Sequence, residues 1–238
     1  MFLSGNFAEL RPNHFHAGID IKTQGVEGKN VLASASGYVS RIKIRTGGYG
    51  KVIYINHPNG YTTTYAHLKK FSKKIDNIVK REQYNQKSFF IDFYPDSNEV
   101  KITKGEVIAL SGNTGGSGGP HLHFEIRETE SEHAMNVLLF NMPIKDKIAP
   151  IIKGIRIYPI TENSTVEKKH FPSYYTTKKI GNKYTLSSIP IVSNKIGFGI
   201  ETLDKMNGTN NRCGVFKIRL LIDGKTVSEQ QAERISFD

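Results

Sequence analysis

Disulfide chemistry, tryptophan and membrane-length apolar runs are what this 238-residue chain does without. Cys213 is the only cysteine and there is no tryptophan. A single thiol closes no intrachain disulfide, which excludes a disulfide-stapled scaffold and leaves the compartment open. No apolar stretch approaches the ~20 residues that cross a bilayer as a helix, so no transmembrane segment is expected. Met1-Phe2-Leu3-Ser4 is too short for a signal peptide, and a signal or anchor upstream of the given sequence stays open. The chain stops in a strand-like run, Ile235-Ser236-Phe237-Asp238, so a fragment at both ends is expected. No dense basic block interleaved with aromatics occurs, and no nucleic-acid motif, so the net charge of +11 is not read as nucleic-acid binding. It fits a solvated basic surface or another anionic partner.

Two loop motifs are also incomplete. Gly115-Gly116-Ser117-Gly118-Gly119 matches G-x-S-x-G, but Pro120 and an alternating strand follow it where a nucleophile elbow needs a helix. It also lacks the Gly-Lys-Ser/Thr ending of a phosphate loop. Bare glycines there leave space for a backbone-like ligand.

What is present is β-patterned. Val31–Ile42, Lys51–Asn56 and Tyr61–Ala66 alternate, with a turn at His57-Pro58-Asn59-Gly60. Ile75, Ile78 and Val79 have helical spacing, which predicts a helix from about Lys73 to Gln86 inside an insertion over about 69–101. Beyond Asn141-Met142-Pro143 the pattern changes. Short strands at 151–160, 189–192, 195–203 and 215–222, with a hairpin turn at Asp223-Gly224, predict a second unit. The expected fold is mainly β. Residues 1–145 form an antiparallel, barrel-like domain with a helical insertion. Residues 146–238 form an immunoglobulin-like β-sandwich, incomplete.

Four of the eight histidines fall in three short segments of the first unit. His121 and His123 are two apart in a strand, so both rings face one side, with Glu125, while Leu122, Phe124 and Ile126 face the other. His67 closes a strand in Tyr65-Ala66-His67-Leu68. His16 and Asp20 would stand roughly 13 Å apart if fully extended, too far to share one ion. A bend at Ala17-Gly18 is therefore expected to fold the carboxylate back. Such nitrogen and carboxylate donors suit zinc. His57, His133 and His170 lack this context; His14 is a possible substitute ligand.

His16-x-x-x-Asp20, the Tyr-x-His-Leu strand end and His121-x-His123, taken in order, resemble the LytM/lysostaphin-type zinc endopeptidases. Ala35-Ser36-Gly37-Tyr38-Val39, the Gly48-Tyr49-Gly50 loop and Lys104-Gly105-Glu106 add to the likeness, which runs from about Leu3 to Arg127. The family's fold is an antiparallel sheet core of the duplicated-hybrid-motif class. By position, the resemblance implies His16, Asp20 and His123 as zinc ligands. It implies His121 as general base or oxyanion stabiliser and His67 as its partner. Glu125 would orient an imidazole or be an exposed or core-rim carboxylate. The activity implied is zinc-dependent hydrolysis of peptide crosslinks in bacterial peptidoglycan, in the cell envelope, with peptide stems as substrate. The alternative is a non-catalytic relative that binds wall or activates another hydrolase. The region from about 146 resembles β-sandwich domains that follow such peptidase domains in some envelope proteins.

Overall fold

The computed structural model describes residues 1–237. The first part is built from β1 (Leu3–Gly5), β2 (Ile19–Lys22), β3 (Asn30–Leu32), β4 (Gly37–Ile44), β5 (Lys51–Asn56), β6 (Tyr61–Ala66) and β7 (Leu68–Phe71). Helix α1 (Lys73–Asn85) follows, then β8 (Ile91–Phe93), β9 (Lys101–Ile102), β10 (Val107–Ser111), β11 (His121–Glu128) and β12 (Ala134–Met135). The large sheet runs β1-β2-β11-β6-β5-β4-β8, with β9 on β4 and β12 on β11. A smaller sheet, β3-β10-β7, stands beside it. Its pairings are antiparallel throughout.

Local sequence explains these strands. In β5, Ile53 and Ile55 enter the main core while Val52 and Tyr54 pack with Ala66 on the opposite face. A strand covered on both faces needs no polar side. In β4 the buried residues Val39, Ile42 and Ile44 break strict alternation, and the register shifts between Val39 and Arg41. Ser40 is the extra residue of a bulge, which returns Ile42 and Ile44 to the core.

The segment expected as an insertion is tied into the core. Ile75 and Val79 of α1, with Ile91, Val100 and Ile102, are buried in the same cluster as β4 and β5. The helix begins two residues after Phe71 and closes at Gln86, as its apolar spacing predicts.

The later part is less covered. Ile151–Pro159 lies between Ser173–Ile180 and Ile196–Leu203, with Lys183–Leu186 at the edge, in one four-stranded sheet. Val166, from a two-stranded ribbon, packs on Ile157 and Tyr175. The 173–186 hairpin was not foreseen: Ser-Tyr-Tyr-Thr-Thr-Lys-Lys has no apolar alternation, because most of its side chains are exposed or half-buried. The expected strand at 189–192 is reduced to Val192–Ser193. Asp223 and Gly224 both take positive φ (49° and 75°), the hairpin turn their sequence predicts. The chain twice returns to the first part. Met206 and Cys213 join the main core, and Arg234–Ile235 pairs with β12. A boundary at 145/146 therefore divides the sequence but not all of the packing. Of the strand-like run expected at 235–238, Ile235 alone lies in the strand found, Arg234–Ile235, and Asp238 lies outside the described residues.

Candidate metal centre

Register brings the distant segments together. β11 is flanked by β2 and β6, and His123 faces Asp20 on one neighbour and Ala66 on the other. Asp20 is thus set beside His123 by sheet pairing, and the residue after Ala66, His67, arrives at the same end. The bend expected at Ala17-Gly18 is present at Gly18. A Cβ there would stand 2.3 Å from the Phe124 carbonyl oxygen, so only glycine lets the bend approach β11.

His16, Asp20 and His123 offer three donor atoms to one point. His16 Nε2, His123 Nδ1 and Asp20 Oδ1 stand 3.0 Å from one another along each edge of a triangle. Edges of a tetrahedral zinc site are roughly 3.3 Å, from bonds of about 2.0–2.1 Å. Their hydrogen bonding reveals what such a point requires. His16 Nδ1 is 2.8 Å from the Asn6 carbonyl, which can only accept. His123 Nε2 is 2.8 Å from the Glu125 carboxylate, which is ion-paired with Arg127. Each ring's hydrogen is directed outwards, so in the neutral rings the two inward nitrogens are bare. Two lone pairs and a carboxylate oxygen then meet with no hydrogen between them. Such a set repels itself unless a cation sits among its members, and neutral imidazoles with a carboxylate are ordinary zinc donors. Without a metal the cluster takes a proton: His123 is pushed up to about 9, burial opposing and Asp20 and Glu125 outweighing it.

Asp20 is buried, yet its carboxyl lies well below the usual range. Burial alone would raise it; in the metal-free cluster, which holds a proton, the imidazoles of His121, His123 and His16 around it outweigh burial. Its second oxygen, Oδ2, is held at 2.8 Å by Arg11. Gly5 makes room for this pair, since a Cβ there would lie 2.6 Å from Arg11 Nη2.

His121 and His67 stand beside the triangle with their rings 4.7 Å apart. Each gives Nδ1 to a backbone carbonyl at 2.8 Å: Gly119 for His121, Thr114 for His67. Each is thereby left with Nε2 as its working nitrogen, and that of His121 is 3.5 Å from Asp20 Oδ1. Burial lowers His67 to about 4, keeping it neutral near pH 7. For His121 burial is outweighed by Asp20, and the net direction is upwards. His67 also holds a left-handed backbone, φ 57°, which costs a non-glycine residue roughly 1–2 kcal/mol. Such strain collects at functional positions.

Behind His123, Tyr49 stacks on its ring with centroids 5.2 Å apart and bonds to Glu125, which is fully buried. Glu125 is held near 2: burial would raise it, but His123 and Arg127 outweigh burial. Of the two readings the sequence allowed for Glu125, the ring-orienting one has the contacts. Arg11, Tyr49 and Arg127 were not foreseen as site residues. The Gly48-Tyr49-Gly50 loop and the alternation His121, His123, Glu125, Arg127 carried a signal for the last two. His14 is exposed, pairs with Asn13 and is outside the triangle. His57 is a contrast: buried, with both nitrogens satisfied by Ser36 and Thr63.

Residues 14–84 and 96–136 match the family described as Peptidase family M23. The match runs through residue 84 of α1 and resumes at 96. The chain is 34% identical over 134 residues to an uncharacterized metalloprotease of Haemophilus influenzae, covering 56% of this chain and 22% of the relative. It is 38% identical over 112 residues to the DD-carboxypeptidase/endopeptidase Mpg of Neisseria meningitidis, covering 47% and 20%. With the murein hydrolase activator NlpD of Escherichia coli it shares 36% over 110 residues, covering 46% and 22%. The matches thus span about a fifth of the length of these curated relatives.

Proposed function

Because the chain belongs, through residues 14–84 and 96–136, to peptidase family M23, we propose that it is a zinc metalloendopeptidase that hydrolyses peptide crosslinks of bacterial peptidoglycan. One observation carries this reading: three acceptor atoms at 3.0 Å spacing, with every ring hydrogen of the triangle directed outwards. His16, Asp20 and His123 would hold the ion. Three protein donors are the number found in catalytic rather than closed structural zinc sites. When bound, zinc supplies Lewis-acid polarisation of a scissile carbonyl and acidifies the attacking water.

The remaining steps belong to the chain's own groups. His121 Nε2, bare when its Nδ1 hydrogen serves the Gly119 carbonyl, takes the proton from the attacking water. It then delivers that proton to the leaving amine. His67, neutral and anchored on Thr114, lines the same cleft with a bare Nε2 that can accept a hydrogen from the attacking water. The roles of the two rings are exchangeable in this scheme, and single variants distinguish them. Arg11 holds Asp20 Oδ2, which leaves Oδ1 as the single inward oxygen.

Two open cavities meet at Asp20 and His121. One, about 470 Å³, is lined by His14, Tyr49, His67 and Gly116; the other, about 570 Å³, by Lys22, Gln24, Gly118 and Asn211. Together they accommodate an extended peptide on both sides of the cleaved bond. The charge of +11 suits an anionic wall polymer, and the setting we infer is the bacterial envelope. No helix of the described residues is long and apolar enough to cross a membrane. The test is mass spectrometry of fragments released from sacculi of defined crosslink type. Zinc-loaded protein should release peptides, and a chelator should stop it. Full zinc occupancy with no fragment from any crosslink type would favour a wall-binding or hydrolase-activating role instead.

A further inference from the structure

Glu125 is fully buried and receives three donors. His123 Nε2, at 2.8 Å, and the Tyr49 hydroxyl address Oε1, and Arg127 Nε addresses Oε2 at 2.7 Å. Arg127 Nη2 also reaches the Tyr49 hydroxyl at 3.3 Å. A guanidinium carries only donors. Tyr49 therefore accepts from Arg127 and gives its own hydrogen to Glu125. With Arg127 on one oxygen and Tyr49 on the other, His123 meets an acceptor, so its ring hydrogen sits on Nε2. Nδ1, the nitrogen 3.0 Å from His16 Nε2 and Asp20 Oδ1, is left bare.

From this geometry we infer that Arg127 is a positioning residue of the metal centre: it sets the direction of every hydrogen bond in the circuit Arg127–Tyr49–Glu125–His123, and so which nitrogen of His123 faces the ion. The inference rests on the metal-centre reading given above. The guanidinium is itself braced, with the Tyr54 and Phe237 ring centroids 5.6 and 4.6 Å from its carbon. Phe237 comes from the returning C-terminal segment beside Arg234–Ile235.

The circuit can be reversed by one isosteric change. Glu125→Gln replaces one acceptor with a donor. Arg127 then claims the amide oxygen and turns the NH2 group towards His123 Nε2. That nitrogen must accept, the ring hydrogen moves to Nδ1, and the inward nitrogen is no longer bare. Adding Arg127→Met removes the constraint, so the amide rotates and again offers its oxygen to Nε2.

Zinc is titrated into metal-free wild type, E125Q and E125Q/R127M. E125Q should bind about 10–100-fold more weakly. The double variant should recover most of that loss although it lacks one more native group. A purely structural role gives the opposite order, the double variant being the weaker. Nitrogen-15 NMR of the histidine rings in zinc-loaded wild type needs no variant, and should show His123 bound through Nδ1 with a proton on Nε2. E125Q binding as tightly as wild type, a double variant no tighter than E125Q, or wild type bound through Nε2 would each overturn the assignment. Wild type that takes up no zinc would overturn the metal-centre reading, and the inference with it.

Discussion

The two parts of the molecule treat polar groups differently. The sheet of residues 1–136 buries His16, Asp20, His67, His123 and Glu125 within or beside a large apolar core. The region from 151 to 203 has a core of Ile157, Val166 and Tyr175 with a few half-buried neighbours, and Ser164 is its one buried polar side chain among the described residues. Burying an ionisable group costs several kcal/mol unless partners offset it, and a small core cannot fix those partners. The first part has the packing to hold five such groups at defined distances. Apart from Tyr175, the second has its titratable groups where water screens them. Chemistry is therefore expected from one part alone, and the following experiments can break or sharpen that division.

Removal of a triangle member should have the largest effect. His123→Ala should lower zinc affinity by more than the roughly 100-fold that an outer partner commands, and abolish hydrolysis. Competition against a chromogenic chelator measures the first and fragment release the second. Next comes His121→Ala, which should keep zinc and lose hydrolysis by about 10²–10⁴-fold, the range for a general acid–base group. A zinc-free H121A protein would move His121 into the ligand set. A smaller effect is pH-dependent. In the metal-free fold His123 is raised to about 9. That proton stabilises the metal-free fold in full below the free-imidazole value near ~6.5, and the gain is lost as pH climbs through about 9. Zinc must displace it, so apparent affinity should rise with pH up to about 9 and then level off. Calorimetry in buffers of different ionisation enthalpy should count about one proton released per zinc at pH 7. Smallest of all, Lys153→Ala breaks the exposed pair with Glu201 in the second part. It should leave zinc affinity and hydrolysis unchanged. A clear loss would mean that the second part shares in the site.

Much of the site was legible because a strand has a period of two. His121, His123 and Glu125 had to share a face, and β11 places them so. The bend at Gly18 was legible from reach: an extended segment cannot bring His16 and Asp20 to one point. Partners contributed by side chains from other loops were not legible. Arg11 on Asp20 and Tyr49 on Glu125 depend on where loops cross the sheet, which no local pattern encodes. The strain at His67 was equally invisible, since no propensity places a histidine in left-handed backbone. The contacts that the second part makes with the first were not legible for another reason. Met206 and Cys213 look like ordinary apolar residues of a sandwich, yet they bury into the first core, and sequence distance gave no warning.

The central claim is that His16, Asp20 and His123 enclose a single zinc ion. Crystals of the zinc-loaded protein measured on both sides of the zinc absorption edge test it most directly. One anomalous peak is expected, bonded to His16 Nε2, Asp20 Oδ1 and His123 Nδ1, with His121 and His67 outside bonding distance. A fully loaded protein with no peak there, or with its peak held by other side chains, would contradict it.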